Sequence, residues 1–521
     1  MTRPAAWVAA LAVAVLAATR LAGVARDQLA APFDLVSEGP HLSAVLAIRD
    51  GVDVFDPAMY RRPPFTLTPY APLYHVIVAA LPQEPANPFF TGRVVAAVSM
   101  LAAAAAMLAL GLRHGQAPLA VAFVGLFFLV PTVTGNTAYL RSDNLALAFA
   151  AWAVVTAAAT LPGRGGEAAV ALPARRGPAA VALPARAGTG ADAFARRGRA
   201  AAGAGVLAAL AIAGKQSFTA PAVAGFVGLL LHDRRLALRF AVAGAVTGAV
   251  LALAASLMWG RGFWFCMALP LTSYPRQWGS VWQRVSFVLA QPVVLYLLAL
   301  AGVGLILTAT RRAWTPVRAL LGLYMAAAWA LQMGVMTGIG AAEHNLIEPV
   351  LATVLWIVVA VDARRGLVPA ALCATAALAA LVELRTAPLE LYAYTTPEAT
   401  AEHLRQRDQA RRAIDSLGLP GRRFLNLENS QVTHDFPGAV TVNDPFMFVM
   451  LWDTGTVSTA PLLDAIRARA FDAVLLAPSL TSAANQRPEI PTQNVILTAF
   501  QYYRPAFRNE LVSVLVRSES P

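Results

Sequence analysis

The chain is 521 residues long, 58% hydrophobic and only 13% charged, with a mean hydropathy of +0.58. Soluble domains carry about a quarter charged residues, so this balance excludes an ordinary soluble enzyme and a disordered chain and implies a polytopic membrane protein. The net charge of +12 requires no nucleic-acid partner, because arginine-rich cytoplasmic loops account for it in such a chain.

Apolar runs of roughly 17–24 residues, long enough to cross a bilayer core, recur along the first three-quarters of the chain. The first, 5–24, follows Thr2-Arg3 and is flanked by Arg20 and Arg26 with no small-residue cleavage motif, so it reads as a retained signal anchor. Further spans follow at 91–111, 117–134, 143–161, 200–213, 217–231, 238–258, 285–309, 317–336, 345–361 and 367–385, about eleven in all. The fifth and sixth are short and flank Lys215, the single lysine among 41 basic residues. An ammonium at a membrane boundary is costly and commonly functional, although a helix-end lysine that snorkels to the interface has the same appearance. Two cysteines, Cys266 and Cys373, lie far apart in apolar surroundings and suit two buried thiols better than a disulfide framework or a metal cluster.

Alternate connections carry the arginines: Arg113 with His114, seven arginines between Arg164 and Arg199, Arg234 and Arg235, Arg311, Arg312 and Arg318, and Arg364 and Arg365. The positive-inside rule makes these loops cytoplasmic. The N-terminus is then inside, the C-terminal tail outside, and the protein a multi-pass component of a bacterial-type inner or plasma membrane. Within the basic connection 162–199, Ala-Ala-Val-Ala-Leu-Pro-Ala-Arg occurs at 168–175 and again at 179–186, the mark of a duplicated low-complexity linker.

The outer connections hold the chemistry. The first, roughly 25–90, contains Asp34, Glu38, His41, Asp50, Asp53, Asp56, Arg61 and Arg62, then Thr68-Pro69-Tyr70-Ala71-Pro72-Leu73-Tyr74-His75. The apolar piece after Pro72 is too short to span and fits an interfacial or re-entrant helix. Later outer loops contribute Arg141, Ser142, Asp143 and Asn144; Lys215; Tyr274, Arg276, Trp278, Trp282 and Arg284; and Glu343, His344 and Asn345, with Glu348 just inside the next span. Carboxylates of this kind can deprotonate an acceptor hydroxyl or hold a divalent cation. Cations steady a phosphate leaving group, and aromatic rings stack on sugars or grip an isoprenoid tail. The same acids would also serve simply to solvate an extracytoplasmic loop.

The order of these pieces resembles the glycosyltransferase C superfamily, and within it the protein-mannosyltransferase-like and aminoarabinose-transferase-like branch. Phe33-Asp34-Leu35-Val36-Ser37-Glu38-Gly39-Pro40-His41, followed by Ala47-Ile48-Arg49-Asp50-Gly51, is similar to that family's Asp-Glu loop and the helix after it. Pro69-Tyr70-Ala71-Pro72-Leu73-Tyr74 resembles its Lys-Pro-Pro-Leu-Tyr segment. Arg141-Ser142-Asp143, Gly214-Lys215-Gln216-Ser217 and the stretch from His344-Asn345 to Glu348-Pro349 resemble its later loop features, so that the likeness covers roughly residues 1–385.

This resemblance implies a mainly α fold and an inverting transfer of a sugar from a polyprenyl-phosphate donor to an extracytoplasmic glycan, lipid or protein. Asp34 or Glu38 would be the general base. Asp143 would position the acceptor or join the first-loop acids around a metal, magnesium or manganese being the candidate ion. Lys215, Arg61, Arg62 and Arg141 would meet the donor phosphate, while His41, Tyr70, Tyr74, His344, Asn345 and Glu348 line the substrate site. Two departures stand out: the adjacent Asp-Glu pair is spread here as Asp34 and Glu38 with Ser37 between, and Pro69-Tyr70 replaces the lysine expected before Pro-Pro-Leu.

Residues 386–521 are more polar and contain no span. A helix at 397–417, strands at 423–427, 473–476 and 512–516 and a helix at 458–470 predict a small extracytoplasmic α/β domain. His434-Asp435, Asp444-Pro445-Phe446 and Trp452-Asp453 read as turn and helix-start residues rather than glycan contacts, and no phosphate-binding glycine loop is visible. Two other classes share part of the pattern: a transporter or flippase for lipid-linked glycans, and a non-catalytic assembly or sensor protein on a degenerate transferase scaffold. A transporter would place charges near the bilayer midplane and often carries inverted repeats; here the charges cluster at the outer boundary and no repeat is evident.

Overall fold

The computed structural model describes residues 2–518 apart from 36–37, 62–64, 66–67, 163–189, 273–275, 277, 312, 339–341, 362–366, 387–396, 419–422, 428–447, 449–450 and 479–490. Arg62, Tyr274, both copies of the linker repeat, His434-Asp435 and Asp444-Pro445 lie outside the described residues.

The membrane part is a bundle of helices in chain order: α1 (Thr2–Ala30), α2 (Gly39–Arg49), α3 (Leu73–Ala80), α4 (Phe90–Arg113), α5 (Ala117–Leu129), α6 (Pro131–Gly135), α7 (Asp143–Thr160) and α8 (Gly190–Gly214). It continues through α9 (Ala220–Leu230), α10 (Arg234–Thr272), α11 (Trp278–Leu289), α12 (Pro292–Thr310), α13 (Pro316–Val335), α14 (Ile347–Ala360) and α15 (Val368–Thr386). Every expected span falls on helix. Among the described residues, however, only seven helices are long and apolar enough to cross a membrane unaided, fewer than the eleven expected: α1, α4, α7, α10, α12, the 343–360 segment that ends in α14, and α15.

Four expected spans, 117–134, 200–213, 217–231 and 317–336, have no counterpart among the seven, and 217–231 is shortened to the 11-residue α9. The expected span 117–134 is interrupted where Val130 turns extended ahead of Pro131, leaving α5 at 13 residues. The expected span 285–309 is cut at Gln291, extended at ψ 122°, with Pro292 starting α12; proline disfavours a helical residue before it. Conversely, 190–199, assigned to the linker, are the first turns of α8. Gly260, at φ +57°, breaks the long α10, a conformation open mainly to glycine.

Burial orders the bundle. The 343–360 segment has 89% of its apolar window inside the protein, whereas α10 has 11%, so α14 is central and α10 faces lipid. α8 packs along both α7 and α10, α1 along α5 and α15, and α4 along α7. As the shortness of the apolar run requires, α3 is an eight-residue helix and does not span.

The tail contains α16 (Pro397–Ser416), β1 (Phe424–Leu427), α17 (Ala460–Arg467), β2 (Ala473–Leu476), α18 (Pro491–Tyr502), β3 (Tyr503–Arg508) and β4 (Ser513–Arg517). The sheet order is β1-β2-β4-β3, with β1 and β2 parallel across the α17 crossover and the other pairs antiparallel. Alternation sends Phe424, Ala473, Leu475, Val514 and Val516 against Ala410 and Ile414 of α16. The opposite face, with Leu425, Leu427, Val474, Leu476 and Leu515, joins one apolar cluster with Val54, Phe55 and Phe65 of the first loop and Trp259 and Phe263 of α10. β3 was not expected: its mostly exposed Tyr-Arg-Pro-Ala-Phe-Arg sequence carries two arginines and a proline, and proline is tolerated there because the strand is at a sheet edge.

Candidate functional site

The first-loop acids are held by an arginine that sequence reasoning did not single out. Arg93, in the first turn of α4, is wholly buried and forms a two-pronged pair with Glu38, Nε to Oε1 at 2.9 Å and Nη2 to Oε2 at 2.5 Å. Its remaining hydrogens go to the carbonyls of Gln28 (2.6 Å), Ala31 and Phe33 (2.7 Å). Glu38 also accepts the backbone N–H groups of Leu35 (3.0 Å) and Leu140 (2.7 Å). The carboxylate is thus saturated, and ties α1, the first loop, α4 and the α6–α7 connection together.

Asp34 accepts the N–H groups of Glu38 (2.9 Å) and Gly39 (2.8 Å), satisfying donors at the start of α2 as capping carboxylates do. It is 1% exposed. Burial first, and the neighbouring Glu38 second, push its carboxyl up to about 7. The tail helix α16 lies over this loop: the Phe33 and His403 rings are 4.1 Å apart, and Arg407 Nη1 donates to Pro32 O at 2.9 Å.

A second cluster gathers the later motifs. Lys215 Nζ donates to Asp143 Oδ1 at 2.5 Å and to Asn345 Oδ1 at 3.0 Å. The lysine and aspartate side chains keep 15% and 11% of their exposure. The fold makes this meeting possible at Gly214, where a Cβ would lie 3.3 Å from Ala146, so the end of α8 rides directly on the first turn of α7. Asn144 closes the preceding turn by donating to the carbonyls of Asn136 and Thr137. Arg141 Nη1 meets His344 Nδ1 at 3.2 Å.

The Pro-rich segment supplies the adjoining wall. Gln216 donates to Pro69 O at 3.0 Å, tying the Lys215 turn to Tyr70, whose ring lies 4.3 Å from that of His41. His41 Nδ1 is 2.9 Å from His75 Nε2, with the rings nearly parallel. Burial, then His75 and Arg141, hold His41 well below the usual imidazole range, and Asp143 and Lys215 also act on it. Burial brings His75 down to about 4. Tyr74 OH donates to Gly92 O at 2.8 Å, and burial ahead of the Glu38 charge raises the phenol well above 10.

Not every expected residue joins. Glu348 is enclosed and accepts from Gln332 Nε2 (2.9 Å) and Tyr324 OH (3.3 Å), which suits a packed interior carboxyl. Arg61 is exposed, with no side-chain bond to the cluster. Asp143 is drawn to Lys215 and Glu38 to Arg93. The expected gathering of Asp143 with the first-loop acids around a divalent cation is therefore not formed, and among the described residues no three His, Cys, Asp or Glu side chains converge as a ligand set. Arg276 and Arg284 brace the backbone at 334–338. Asp453 accepts both Thr492 N and Oγ1 at the start of α18, 39 positions away. Arg93 and His75 are the notable additions; a lone arginine in the first turn of an apolar span was the available signal for Arg93.

No family model matches the chain, and no curated protein sequence does. Solved structures do. ArnT from Cupriavidus metallidurans bound to undecaprenyl phosphate matches with a TM-score of 0.62 at 13% identity, over 97% of this chain and 98% of that one. The apo form of the same protein matches with a TM-score of 0.62 at 12% identity over the same shares. The chain therefore shares the fold of ArnT from end to end, built around several helices long and apolar enough to span a membrane and closed by a small sheet.

Proposed function

We propose that the protein is an integral-membrane glycosyltransferase that moves a sugar from a polyprenyl-phosphate donor to an extracytoplasmic glycan, lipid or protein, with inversion. The observation that carries this reading is the near-complete overlap with a fold whose ArnT representative binds undecaprenyl phosphate. The Lys215 cluster supports it independently. Lys215 and Arg141 bring two cations to the site beside Asp143 and His344, groups of the kind that pair with a phosphate.

In this reaction Lys215 and Arg141 hold the phosphate as the anomeric C–O bond to it breaks, an electrostatic role that counts most where charge develops. Asp143 and Asn345 fix the ammonium and border the acceptor, while Tyr70, Tyr74 and His344 shape the wall. Asp34 and Glu38 are bound to backbone and to Arg93, so they serve to set the loop and start α2. Residues 1–385 form the transferase unit and 386–521 an outer domain, with the N-terminus cytoplasmic and the Lys215 cluster on the outer leaflet side.

Deleting the gene and profiling surface glycans and membrane lipids by mass spectrometry tests the assignment. One sugar should vanish from a surface glycan, lipid or glycoprotein while its undecaprenyl-phosphate form accumulates. Unchanged profiles of both would contradict it.

A further inference from the structure

We propose that a cleft between α16 and the β3–β4 turn binds a neutral saccharide portion of the acceptor, so that the tail domain recognises what the membrane domain modifies. The inference rests on the proposed sugar transfer for its role, and it narrows the acceptor to a molecule that carries an oligosaccharide.

The cleft has a volume of about 600 Å³, within the range of roughly 300–1,000 Å³ usual for small-molecule sites. One wall is a single face of α16, where Glu402, Arg405, Gln406 and Gln409 recur at the three- and four-residue spacing that sets side chains next to one another. The other wall is the end of β3 and the turn after it, with Arg508, Asn509 and Glu510. Among the described lining residues only Pro478 is apolar.

Hydrogen bonds tie the two walls together. Gln406, 6% exposed, donates through Nε2 to Glu402 Oε1 at 2.6 Å and to Glu510 Oε2 at 2.8 Å. Asn509 Nδ2 donates to Gln406 O at 2.8 Å, while its Oδ1 accepts the amides of Leu511 and Val512. The cleft is therefore built without a ligand, which lowers the ordering cost of filling it.

The groups left over define the ligand. Glu402 takes up Arg405. Arg508 has no ion pair and Gln409 no side-chain hydrogen bond among the described residues, although both line the cleft. Glu510 accepts through Oε2 alone. A guanidinium, an amide and a carboxylate oxygen offer donors and acceptors to hydroxyl groups. The two arginines of the lining are balanced by its two glutamates, which disfavours a phosphate, and the polar walls disfavour a prenyl chain. A hydroxyl-rich saccharide suits both conditions.

Position gives the cleft its role. The neighbouring face of α16 lies on the first outer loop, with the His403 ring 4.1 Å from that of Phe33 and Arg407 Nη1 donating to Pro32 O at 2.9 Å. A glycan in the cleft is thus held by the helix that covers the loop carrying Asp34.

The test uses the full chain in lipid nanodiscs. Its probe is the oligosaccharide mixture released from the native envelope by mild acid and labelled with a fluorophore at the reducing end. Wild type should bind a component of this mixture saturably, and inorganic phosphate should not compete. The double variant Gln409→Ala, Arg508→Ala removes side chains without protein partners, so its thermal stability should match wild type. Its saccharide binding should weaken at least about tenfold, as loss of a hydrogen bond to a charged group does. In transfer assays with undecaprenyl-phosphate sugars, KM for the envelope acceptor should rise about tenfold while kcat and affinity for undecaprenyl phosphate hold, the pattern of lost uniform binding. Wild type that binds none of the mixture, competition by phosphate, or a double variant with wild-type binding and KM overturns the inference and leaves the transferase reading standing. Saccharide binding that the double variant loses, in a wild type that transfers nothing, supports the cleft and removes the transferase reading.

Discussion

Replacing Arg93 by methionine preserves most of the side chain's length and removes its charge and donors. The Arg93–Glu38 pair is fully enclosed, and stripping one partner from a buried pair costs about 3–5 kcal/mol because the other charge is left uncompensated. The carbonyls of Gln28, Ala31 and Phe33 lose their donor as well, each adding about 1 kcal/mol. The sum, about 6–8 kcal/mol, approaches the whole stability of an ordinary domain. Glu38→Gln should cost less, since Arg93 keeps three carbonyls and the amide oxygen can still accept from Leu140. SDS-titration unfolding of both single variants and the double variant closes a thermodynamic cycle, and we expect a coupling of about 3 kcal/mol, the upper end for residues sharing one network. Additive effects, or an Arg93→Met cost below about 1 kcal/mol, would refute the view that this pair braces the first loop.

Lys215→Met should cut transfer by about 100–1,000-fold, the effect of removing one preorganised charge stabiliser, with insertion into the membrane intact. Lys215→Arg should not restore it, because a planar fork does not reproduce a point charge between Asp143 and Asn345; steady-state rates in nanodiscs decide both. Glu348→Gln should leave stability near wild type, whereas Glu348→Ala should cost about 1–3 kcal/mol by orphaning Gln332 and Tyr324, as read by SDS titration. For pH, His75 is held at about 4 in the folded protein. The unfolded chain takes up its proton below the ordinary value of 6.5, so stability is lost as pH falls from about 6.5 toward 4. Relative to His75→Gln, wild type should therefore lose stability across that window in chemical denaturation, and a constant difference would count against the burial argument. Arg407→Ala should speed hydrogen exchange at 31–35, where the tail helix lies over the loop; unchanged exchange would mean that the contact holds nothing in place.

How much of this was legible in the sequence differed by physical cause. Apolar runs and arginine placement are local signals, so every span fell on helix, while the break at Val130-Pro131 and the shortness of α9 lowered the number that cross unaided. The tail's β1, β2 and β4 announced themselves as short, almost wholly buried apolar runs, whereas β3 is interrupted by two arginines and a proline. Lys215 drew notice as the chain's lone lysine, and it does meet Asp143 and Asn345, residues 72 and 130 positions away. The carboxylates of the first loop were legible as residues but not as partners. Their environment is set by Arg93, 55 positions downstream of Glu38, and no local pattern reports such a pairing. The His41–His75 contact likewise depends on how α2 and α3 pack rather than on spacing.

The most direct measurement is release of undecaprenyl phosphate from undecaprenyl-phosphate sugars by the purified protein in proteoliposomes, alongside sugar appearing in an envelope acceptor. The account predicts stoichiometric release and transfer by the wild type and at least a hundredfold less by Lys215→Met, on the scale set by loss of one charge stabiliser. Wild-type protein that binds these lipids and transfers nothing, or Lys215→Met that transfers at the wild-type rate, would contradict it.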